Sequence, residues 1–455
     1  SIAAGAETAY IGNATFKDCT SLEEITVPGN YTTIYSDAFR GCRSLKKFVY
    51  NDNGISRKIQ NRAFYECTSL VSLSLPTSLN SIGDEAFSGC SSLTAVDIPE
   101  GVKLIEYGVF NNCKLLKKVV IPSTIQRIGN SYNTGAFQNC TSLSTVTIKE
   151  GTQAATIGSN TFSGCSAITS IVIPGNYSNV MDSAFKDCKG LKTLTYSPSI
   201  NGITHKIGSY VFENCQSLAQ VTLGTGLESI DTKAFYNDSM IAEVNIPVGV
   251  KSIGQEAFSN CTRLSKLTLP EGLTVIKSGA FASCKSLKSV VIPSTVTRVT
   301  DSYVAGAFEN CTGLTSVTFK EGIAEAVIGQ DSFNGCQSLL SVIIPGNYGK
   351  IGDSAFRNCT SLKSFKYAQS VNNIEHTVGS SAFRDCKSLT SITLEKGLKT
   401  IDSYAFCNTN VDKIDIPEGV TQIVAASFKD CKNLASVNIP STVSSIGGAY
   451  YGGAF

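Results

Sequence analysis

The sequence predicts a solenoid of the α/β class, in which one short structural unit repeats about nineteen times along the chain. Nineteen phenylalanines recur at intervals of about 22 to about 27 residues, a period that is typical of stacked supersecondary units. Most of them are followed three positions later by cysteine, and then by a Val-x-Ile stretch that proline often ends. These ladder phenylalanines are Phe16, Phe39, Phe64, Phe87, Phe110, Phe137, Phe162, Phe185, Phe212, Phe235, Phe258, Phe281, Phe308, Phe333, Phe356, Phe383, Phe406, Phe428 and Phe455.

One repeat, residues 81–99, shows what each element contributes. Ala-Phe at Phe87 predicts a tight helical turn, and Val96 and Ile98 have the period-2 spacing of a strand face. Pro99 ends the strand because proline has no N–H to donate. We expect stacking to join these strands into one long parallel concave sheet of about 18 strands. Short turns and one-turn helices should form the convex side.

The repeat pattern I-G-x-x-A-F-x-x-C-x-x-L-x-x-V-x-I-P resembles the BspA-like class of leucine-rich repeats, and the resemblance covers essentially all 455 residues. Many independent copies of the pattern make the resemblance specific. It implies a leucine-rich-repeat solenoid in which cysteine points inward before the strand.

A second, longer period groups the repeats into three blocks. The segment that begins at Lys149 returns, with close similarity, at Lys320. We therefore predict one solenoid domain over the whole chain, with internal blocks at about 1–148, 149–319 and 320–455. We expect both ends to be uncapped, and the chain to be part of a longer protein.

Inserted residues lengthen some repeats at matched places. They follow the repeat's isoleucine at positions 130–135 and 300–306, and precede it at positions 51–58, 197–206 and 368–377. Insertions in solenoids form loops on one face and often bind partners. The alternative is that duplication copied loops without function.

Five tyrosines are candidate partner-binding residues. Tyr31, Tyr177 and Tyr348 belong to the repeated segment Pro-Gly-Asn-Tyr, and Tyr132 and Tyr303 lie in the long loops. Tyrosine is enriched in recognition surfaces, although each of these rings could instead cover the edge of a coil.

Other positions favour packing or simple strand propensity. Tyr50, Tyr196 and Tyr367 occupy the last core position of a strand and are predicted to be buried. Outward strand residues such as Thr26 and Thr268 form either a weakly polar binding platform or a solvated face that favours threonine.

Composition excludes several partner classes. The net charge is +2, with 38 basic and 36 acidic residues and no long basic run, which argues against nucleic acid. No apolar stretch approaches the length of a membrane span, so we predict no direct membrane insertion in this segment.

The sequence lacks the residues that catalysis usually needs. Its two histidines, His205 and His376, lie one long period apart in equivalent loops and are interpreted as copies of one surface position. No nucleophile elbow, zinc-protease helix or phosphate-binding loop occurs. We predict no enzymatic activity, no cofactor and no metal site.

The 17 cysteines favour packing over chemistry. Sixteen follow a ladder phenylalanine by three positions, and Cys407 alone is displaced. Their side chains should point the same way into the core, where reduced cysteine packs as a small hydrophobe. A set of disulfide bridges between coils is the alternative, because the strand spacing lies within disulfide range.

By its resemblance to BspA-like proteins, the chain is expected to be part of a secreted or cell-surface adhesin. The implied ligands are proteins or glycoproteins of the extracellular matrix, the host cell surface or other microbes. A passive stalk that presents another domain is the structural alternative, and an appended catalytic domain is a third.

The cysteine interpretation predicts that thiol titration in denaturant will find nearly all 17 cysteines free. The physical reason is that parallel side chains in a stacked column pack against one another without bridging. A result of mostly disulfides would contradict the packing model.

Overall fold

The computed structural model describes residues 2–131, 134–448 and 453–455. The chain forms two compact units, residues 1–227 and 228–455, and each is a stack of similar coils. A typical coil carries two short strands, one before the ladder phenylalanine and one after its cysteine. The proposed three-block, one-domain organisation stays a prediction.

The first strand of each coil lies just before the ladder phenylalanine, and in each unit these strands pair in parallel to form a continuous sheet, here called the long sheet. The first unit holds β1 (Ala9–Ile11), β3 (Tyr31–Ile34), β5 (Arg57–Ile59), β7 (Leu79–Ile82), β9 (Leu104–Ile105), β11 (Arg127–Ile128), β13 (Ala155–Ile157), β15 (Tyr177–Val180) and β17 (His205–Ile207). The second holds β19 (Leu227–Ile230, from the unit boundary), β21 (Ser252–Ile253), β23 (Val275–Ile276), β25 (Arg298–Val299), β27 (Ala326–Ile328), β29 (Tyr348–Ile351), β31 (His376–Val378), β33 (Leu398–Ile401), β35 (Gln422–Ile423) and β37 (Ser445–Ile446).

The second strand of each coil contains the Val-x-Ile stretch. In the first unit these strands are β2 (Glu24–Val27), β4 (Lys47–Tyr50), β6 (Ser72–Ser74), β8 (Ala95–Asp97), β10 (Lys118–Ile121), β12 (Thr145–Ile148), β14 (Ser170–Ile173), β16 (Thr193–Tyr196) and β18 (Gln220–Leu223). In the second they are β20 (Glu243–Asn245), β22 (Lys266–Thr268), β24 (Ser289–Ile292), β26 (Ser316–Phe319), β28 (Ser341–Ile344), β30 (Ser364–Tyr367), β32 (Ser391–Leu394), β34 (Lys413–Asp415) and β36 (Ser436–Asn438).

The predicted solenoid with a long parallel sheet is confirmed, although different residues build that sheet. Within the described residues the Val-x-Ile strands pair in groups of two or three, such as β8, β10 and β12. Proline directly follows several of these strands, as Pro122 follows β10, and ends them because it has no N–H to donate. The long sheet instead uses the isoleucine before each turn, as in the pairing of Ile82 with Ile105.

The predicted one-turn helices are wrong, because the described residues contain strands and turns but no helix. Residues two before and two after the phenylalanine are left-handed, as at Glu85 (φ 53°) and Gly89 (φ 76°). A left-handed residue interrupts an α-helix. The amides of Glu85, Phe87 and Gly89 donate instead to carbonyls of the next coil, at 2.8 to 3.0 Å.

The ladder phenylalanines form a stacked column in each unit. Consecutive ring centroids lie 5.0 to 5.4 Å apart in the first unit and 4.9 to 5.4 Å apart in the second. The rings from Phe39 to Phe428 are buried. Burial of each phenylalanine side chain contributes roughly 1.5–3 kcal/mol, so the column stabilises every coil against its neighbours.

The ladder cysteines are mostly buried and stack as a ladder along the coils, while their reduced state stays a prediction. Each thiol from Cys42 onwards typically donates to the carbonyl oxygen of the preceding coil's phenylalanine, as from Cys90 to Phe64 at 3.2 Å and from Cys284 to Phe258 at 3.3 Å. Burial raises the pKa of Cys90 to about 12, which keeps the thiol protonated. Cysteine is therefore both a small apolar side chain and a hydrogen-bond donor.

Truncation of one ring tests the contribution of the column. Phe281→Ala should lower the free energy of unfolding by about 3–5 kcal/mol, because it removes buried area and leaves a cavity between Phe258 and Phe308. Denaturant titration of the variant and the parent protein measures this difference. Leu340→Ala, at a side chain that is 48% exposed, is the control and should cost less than about 1 kcal/mol. Equal losses for the two variants would contradict the role of the column.

Candidate partner-binding surface

The inserted loop of residues 300–306 is held at its start by buried hydroxyl groups. Thr300 is buried in a left-handed conformation (φ 66°), and its Oγ1 accepts the Ala307 amide at 2.8 Å. Ser332 of the next coil donates its hydroxyl to the same oxygen at 2.9 Å. The loop therefore leaves the long sheet in a fixed direction.

The preceding coil anchors the next two residues of the loop. Oδ1 of Asp301 accepts the amide and the hydroxyl of Ser278, each at 3.0 Å. The Ser302 amide donates to the Ser278 hydroxyl oxygen at 2.9 Å. Ser278 is fully buried whereas Asp301 and Ser302 are exposed, so these part-buried bonds tie the base of the loop to the core of the preceding coil.

The end of the loop needs glycine because two backbones approach closely. A Cβ on Gly306 would lie 1.7 Å from the carbonyl oxygen of Asp331, a distance that no side chain can adopt. The equivalent Gly135 would meet the Asn160 carbonyl at 1.8 Å. Gly306 and Gly135 thus let the ends of their loops pack directly against the coil that follows.

The anchored loop borders a groove of about 320 Å³ on the outward face of the long sheet. Arg298 and Lys350 lie in the same register row, on either side of Val327. Both are exposed, and no ion pair involves either of them within the described part of the chain. Asp353 and Gln330 also line the groove.

The loop tip presents two large side chains beside this groove. Tyr303 is 87% exposed and Val304 is 62% exposed. An exposed aromatic ring next to charged groups of both signs has the composition of a recognition surface. We call residues 298, 301–304, 327, 330, 350 and 353 the loop-groove surface.

The structure places the other predicted tyrosines differently. Tyr177 and Tyr348 are buried, so their rings offer no surface to a partner. Tyr31 is half-buried on β3. Tyr132 lies outside the described residues. Of the five candidates, Tyr303 is the one that the described structure presents to solvent beside a groove.

The tyrosines of the Pro-Gly-Asn-Tyr segments have a packing role. The hydroxyl of Tyr50 donates to the carbonyl of Tyr31 at 2.9 Å, and that of Tyr367 donates to Tyr348 at 2.5 Å. Tyr196 makes the equivalent bond to Tyr177. The prediction that Tyr50, Tyr196 and Tyr367 are core residues is confirmed by their burial.

The interpretation of His205 and His376 as surface residues is wrong, because both are fully buried. Each occupies the inward position at the start of a long-sheet strand, with the buried–exposed–buried or buried–intermediate–buried pattern of β17 and β31. Arg57 occupies the same position on β5 and is also fully buried. In the sequence, the triplets His-Lys-Ile, His-Thr-Val and Arg-Lys-Ile have the period-2 spacing that places their first residue on the same inward face as the Ile or Val at the third position.

Neither a metal cluster nor a membrane-spanning helix occurs in the described ranges. No group of three or more His, Cys, Asp or Glu side chains within those ranges could hold a metal ion. The same residues contain no helix that is long and apolar enough to cross a bilayer.

A family model described as the BspA type leucine-rich-repeat region matches the chain in six copies. The matched residues are 9–135, 131–206, 197–306, 301–378 and 375–453. No curated protein matches it.

Several solved structures of bacterial proteins are similar to the chain. A leucine-rich cell-surface protein from Faecalibacterium prausnitzii is 28% identical over 66% of this chain and 87% of its own, with a TM-score of 0.37. A leucine-rich-repeat protein from Bacteroides ovatus is 22% identical over 96% of this chain and 87% of its own, with a TM-score of 0.44. The pneumococcal vaccine antigen PcpA is 20% identical over 77% of this chain and 78% of its own, with a TM-score of 0.39.

Loss of the loop anchor should loosen the loop. Thr300→Val removes the oxygen that accepts the Ala307 amide, and a buried unsatisfied donor costs about 1–3 kcal/mol. Hydrogen–deuterium exchange over residues 301–307 should then accelerate by about tenfold or more. The control is Thr318→Val, an exposed position on β26, which should leave exchange in this loop unchanged. Unchanged exchange in the Thr300 variant would contradict the anchoring role.

Proposed function

Because the chain belongs to the BspA-type leucine-rich-repeat family, we propose that it is a non-catalytic protein-binding scaffold and part of a secreted or cell-surface adhesin. Its partners in this proposal are proteins or glycoproteins of the extracellular matrix or of a host or microbial surface. Leucine-rich-repeat scaffolds bind partners on extended surfaces, and insertions on one face supply specificity.

The observation that carries the proposal is the loop-groove surface. A buried threonine and a buried serine fix the loop, while its tip exposes Tyr303 and Val304. A recognition loop that is rigid before binding loses little conformational entropy when it contacts a partner.

Charge supports a protein or glycoprotein partner. Arg298 and Lys350 offer exposed cations to the groove, and Asp353 offers an exposed carboxylate. Mixed charge around an aromatic residue suits a partner surface that carries both signs, and complementary charge increases the association rate.

Burial of the histidines supports a non-catalytic role. The chain has two histidines, and both are fully buried with Nε2 within 3.0 Å of a backbone carbonyl oxygen. Neither imidazole can reach a substrate to act as a general base.

A passive stalk is the second candidate function. The stacked phenylalanine column and the hydrogen bonds between successive turns make each unit a regular, self-supporting array. Such an array could space another domain from a surface without binding a partner itself.

Biolayer interferometry of the chain against a panel of matrix and serum glycoproteins distinguishes the two functions. The adhesin proposal predicts saturable binding, which Tyr303→Ala should weaken by at least tenfold, the effect of losing a hot-spot aromatic residue. Tyr10→Ala, at another exposed tyrosine on β1, is the matched control and should leave affinity unchanged. Equal loss in both variants would contradict a site at the loop-groove surface. Absence of binding across the panel would favour the stalk.

A further inference from the structure

Three long loops end at a buried polar side chain that is basic in each case. Residues 51–56, 197–204 and 368–375 lead into Arg57, His205 and His376, all with 0% exposure. Each of these side chains approaches the carbonyl oxygen of the glycine in the preceding coil's Pro-Gly-Asn-Tyr segment. The same structural position therefore carries a permanent charge in one copy and a titratable imidazole in two.

His376 and the loop before it meet at one carbonyl group, and the Ser370 amide of the loop also donates to the Lys396 carbonyl at 2.8 Å. Its Nε2 lies 3.0 Å from the oxygen of Gly346, and the loop amide of Val371 donates to the same oxygen at 3.3 Å. The imidazole stacks on Tyr367, with centroids 4.3 Å apart and rings 5° from parallel. The loop thus closes over an imidazole fixed on two sides.

His205 repeats this arrangement in the first unit. Its Nε2 lies 3.0 Å from the oxygen of Gly175, which also accepts the Ile200 amide at 3.3 Å. The ring stacks on Tyr196 with centroids 4.5 Å apart. The two repeated copies thus share the same contacts.

The second ring nitrogen decides the protonation state of both histidines. Because Nε2 faces a carbonyl oxygen, it must carry the hydrogen, and Nδ1 is the unprotonated nitrogen. Nδ1 of His205 and of His376 is buried and has no hydrogen-bond partner within the described residues. Protonation would place a new donor and a positive charge where no group of the described residues accepts them.

The charged and titratable groups around His376 leave that charge unpaired. Tyr348 and Tyr367 face it from the neighbouring strands, and burial raises the pKa of both phenols, so they stay neutral. The carboxylates on the packed elements make other contacts or face solvent. Glu375 pairs with Lys399 at 3.7 Å, and Glu395 pairs with Lys366 and accepts the Gln369 amide. Glu325 is exposed, and Lys396 adds a further cation.

The surroundings of His205 are similar. Tyr177 and Tyr196 are buried phenols whose pKa values burial raises. Glu150 accepts the Gly175 amide at 3.2 Å, and Lys206 points to the exposed face of β17. None of these groups is an anion placed against the imidazole Nδ1.

Arg57 shows how the fold accommodates a charge at this position. Its guanidinium pairs with Asp52 at 2.9 Å and donates to the carbonyl of Ile55 at 2.7 Å. It also contacts Asn53 and Ser78. Tyr50 lies beneath it, with the ring centroid 5.4 Å from the guanidinium carbon. The histidine loops have no equivalent of Asp52, because the corresponding residues are Pro198 and Gln369.

We propose that His205 and His376 make their two loops acid-responsive, so that protonation opens residues 197–204 and 368–375 while the Arg57 loop stays closed. The opened loops would alter the surface that the chain presents as the medium becomes acidic. The inference rests on the buried contacts of the two imidazoles and does not depend on the proposed partner.

The direction of the effect follows from burial. Burial lowers the pKa of both histidines below the ordinary value of 6.5, and the bond to the glycine carbonyl opposes this shift without cancelling it. The closed loop therefore binds a proton less well than the open loop. Its stability is fully present above about pH 6.5 and decreases as the pH falls below that value.

Hydrogen–deuterium exchange tests the proposal on the full chain. Between about pH 7.5 and about pH 5, and after correction for intrinsic exchange rates, protection of residues 197–204 and 368–375 should fall by about tenfold. Residues 51–56 are the internal control and should keep their protection. Equal loss of protection in all three loops would overturn the proposal, because it would indicate general acid unfolding.

Glutamine substitutions separate titration from packing. His205→Gln and His376→Gln can each still donate to the glycine carbonyl but cannot gain a proton in this range. Each variant should lose acid-induced opening in its own loop and retain it in the other. Opening that persists in the substituted loop would overturn the assignment.

Nuclear magnetic resonance gives a second readout that does not depend on the variants folding. The chain has two histidines, so selective ¹³C labelling of the imidazole gives two signals. Both should titrate below 6.5, together with the loss of loop protection. Titration at the ordinary value, with all three loops protected at acidic pH, would contradict an acid-responsive device.

Discussion

The contact between successive turns at the ladder phenylalanine is the constraint on which the rest of the structure depends. The backbone amides of the phenylalanine and of the residues two before and two after it donate to carbonyl groups of the next coil, as at Glu85, Phe87 and Gly89. The rings then stack about 5 Å apart, close to the spacing of hydrogen-bonded strands. This shared spacing lets the aromatic column, the cysteine thiols and the long sheet run in register within each unit.

This constraint also determines where variation is tolerated. Extra residues cannot enter the turn without breaking the inter-coil bonds, so insertions lie outside it, either between a long-sheet strand and the turn or between the two strands of a coil. The loop at residues 300–306 follows β25, and the loop that ends at His376 precedes β31. Each insertion is secured by buried polar side chains, Thr300 and Ser278 in one case and His376 in the other. Candidate functions of the molecule therefore concentrate where the repeat is longest.

Several buried polar side chains in this fold contact a backbone carbonyl oxygen, and the effect on stability depends on the side chain. A thiol inside the column meets a phenylalanine carbonyl, and a tyrosine hydroxyl meets the carbonyl of another tyrosine. The imidazoles of His205 and His376 meet a glycine carbonyl with one nitrogen, and the other nitrogen has no partner within the described residues. Satisfied groups stabilise one state, whereas a half-satisfied imidazole makes stability depend on pH.

The sequence by itself determined the repeat, its core positions, the buried cysteine ladder and the location of the long loops, because periodic apolar residues at fixed spacing predict stacked coils with a shared core. It did not determine which half of the coil forms the continuous sheet, since left-handed residues such as Glu85 and the inter-coil bonds are decided by stacking. It also could not separate Tyr303 at an exposed loop tip from Tyr348 in the core, or show that His376 is buried. These depend on how one coil covers the next, and only the tertiary structure brings residues of neighbouring coils together.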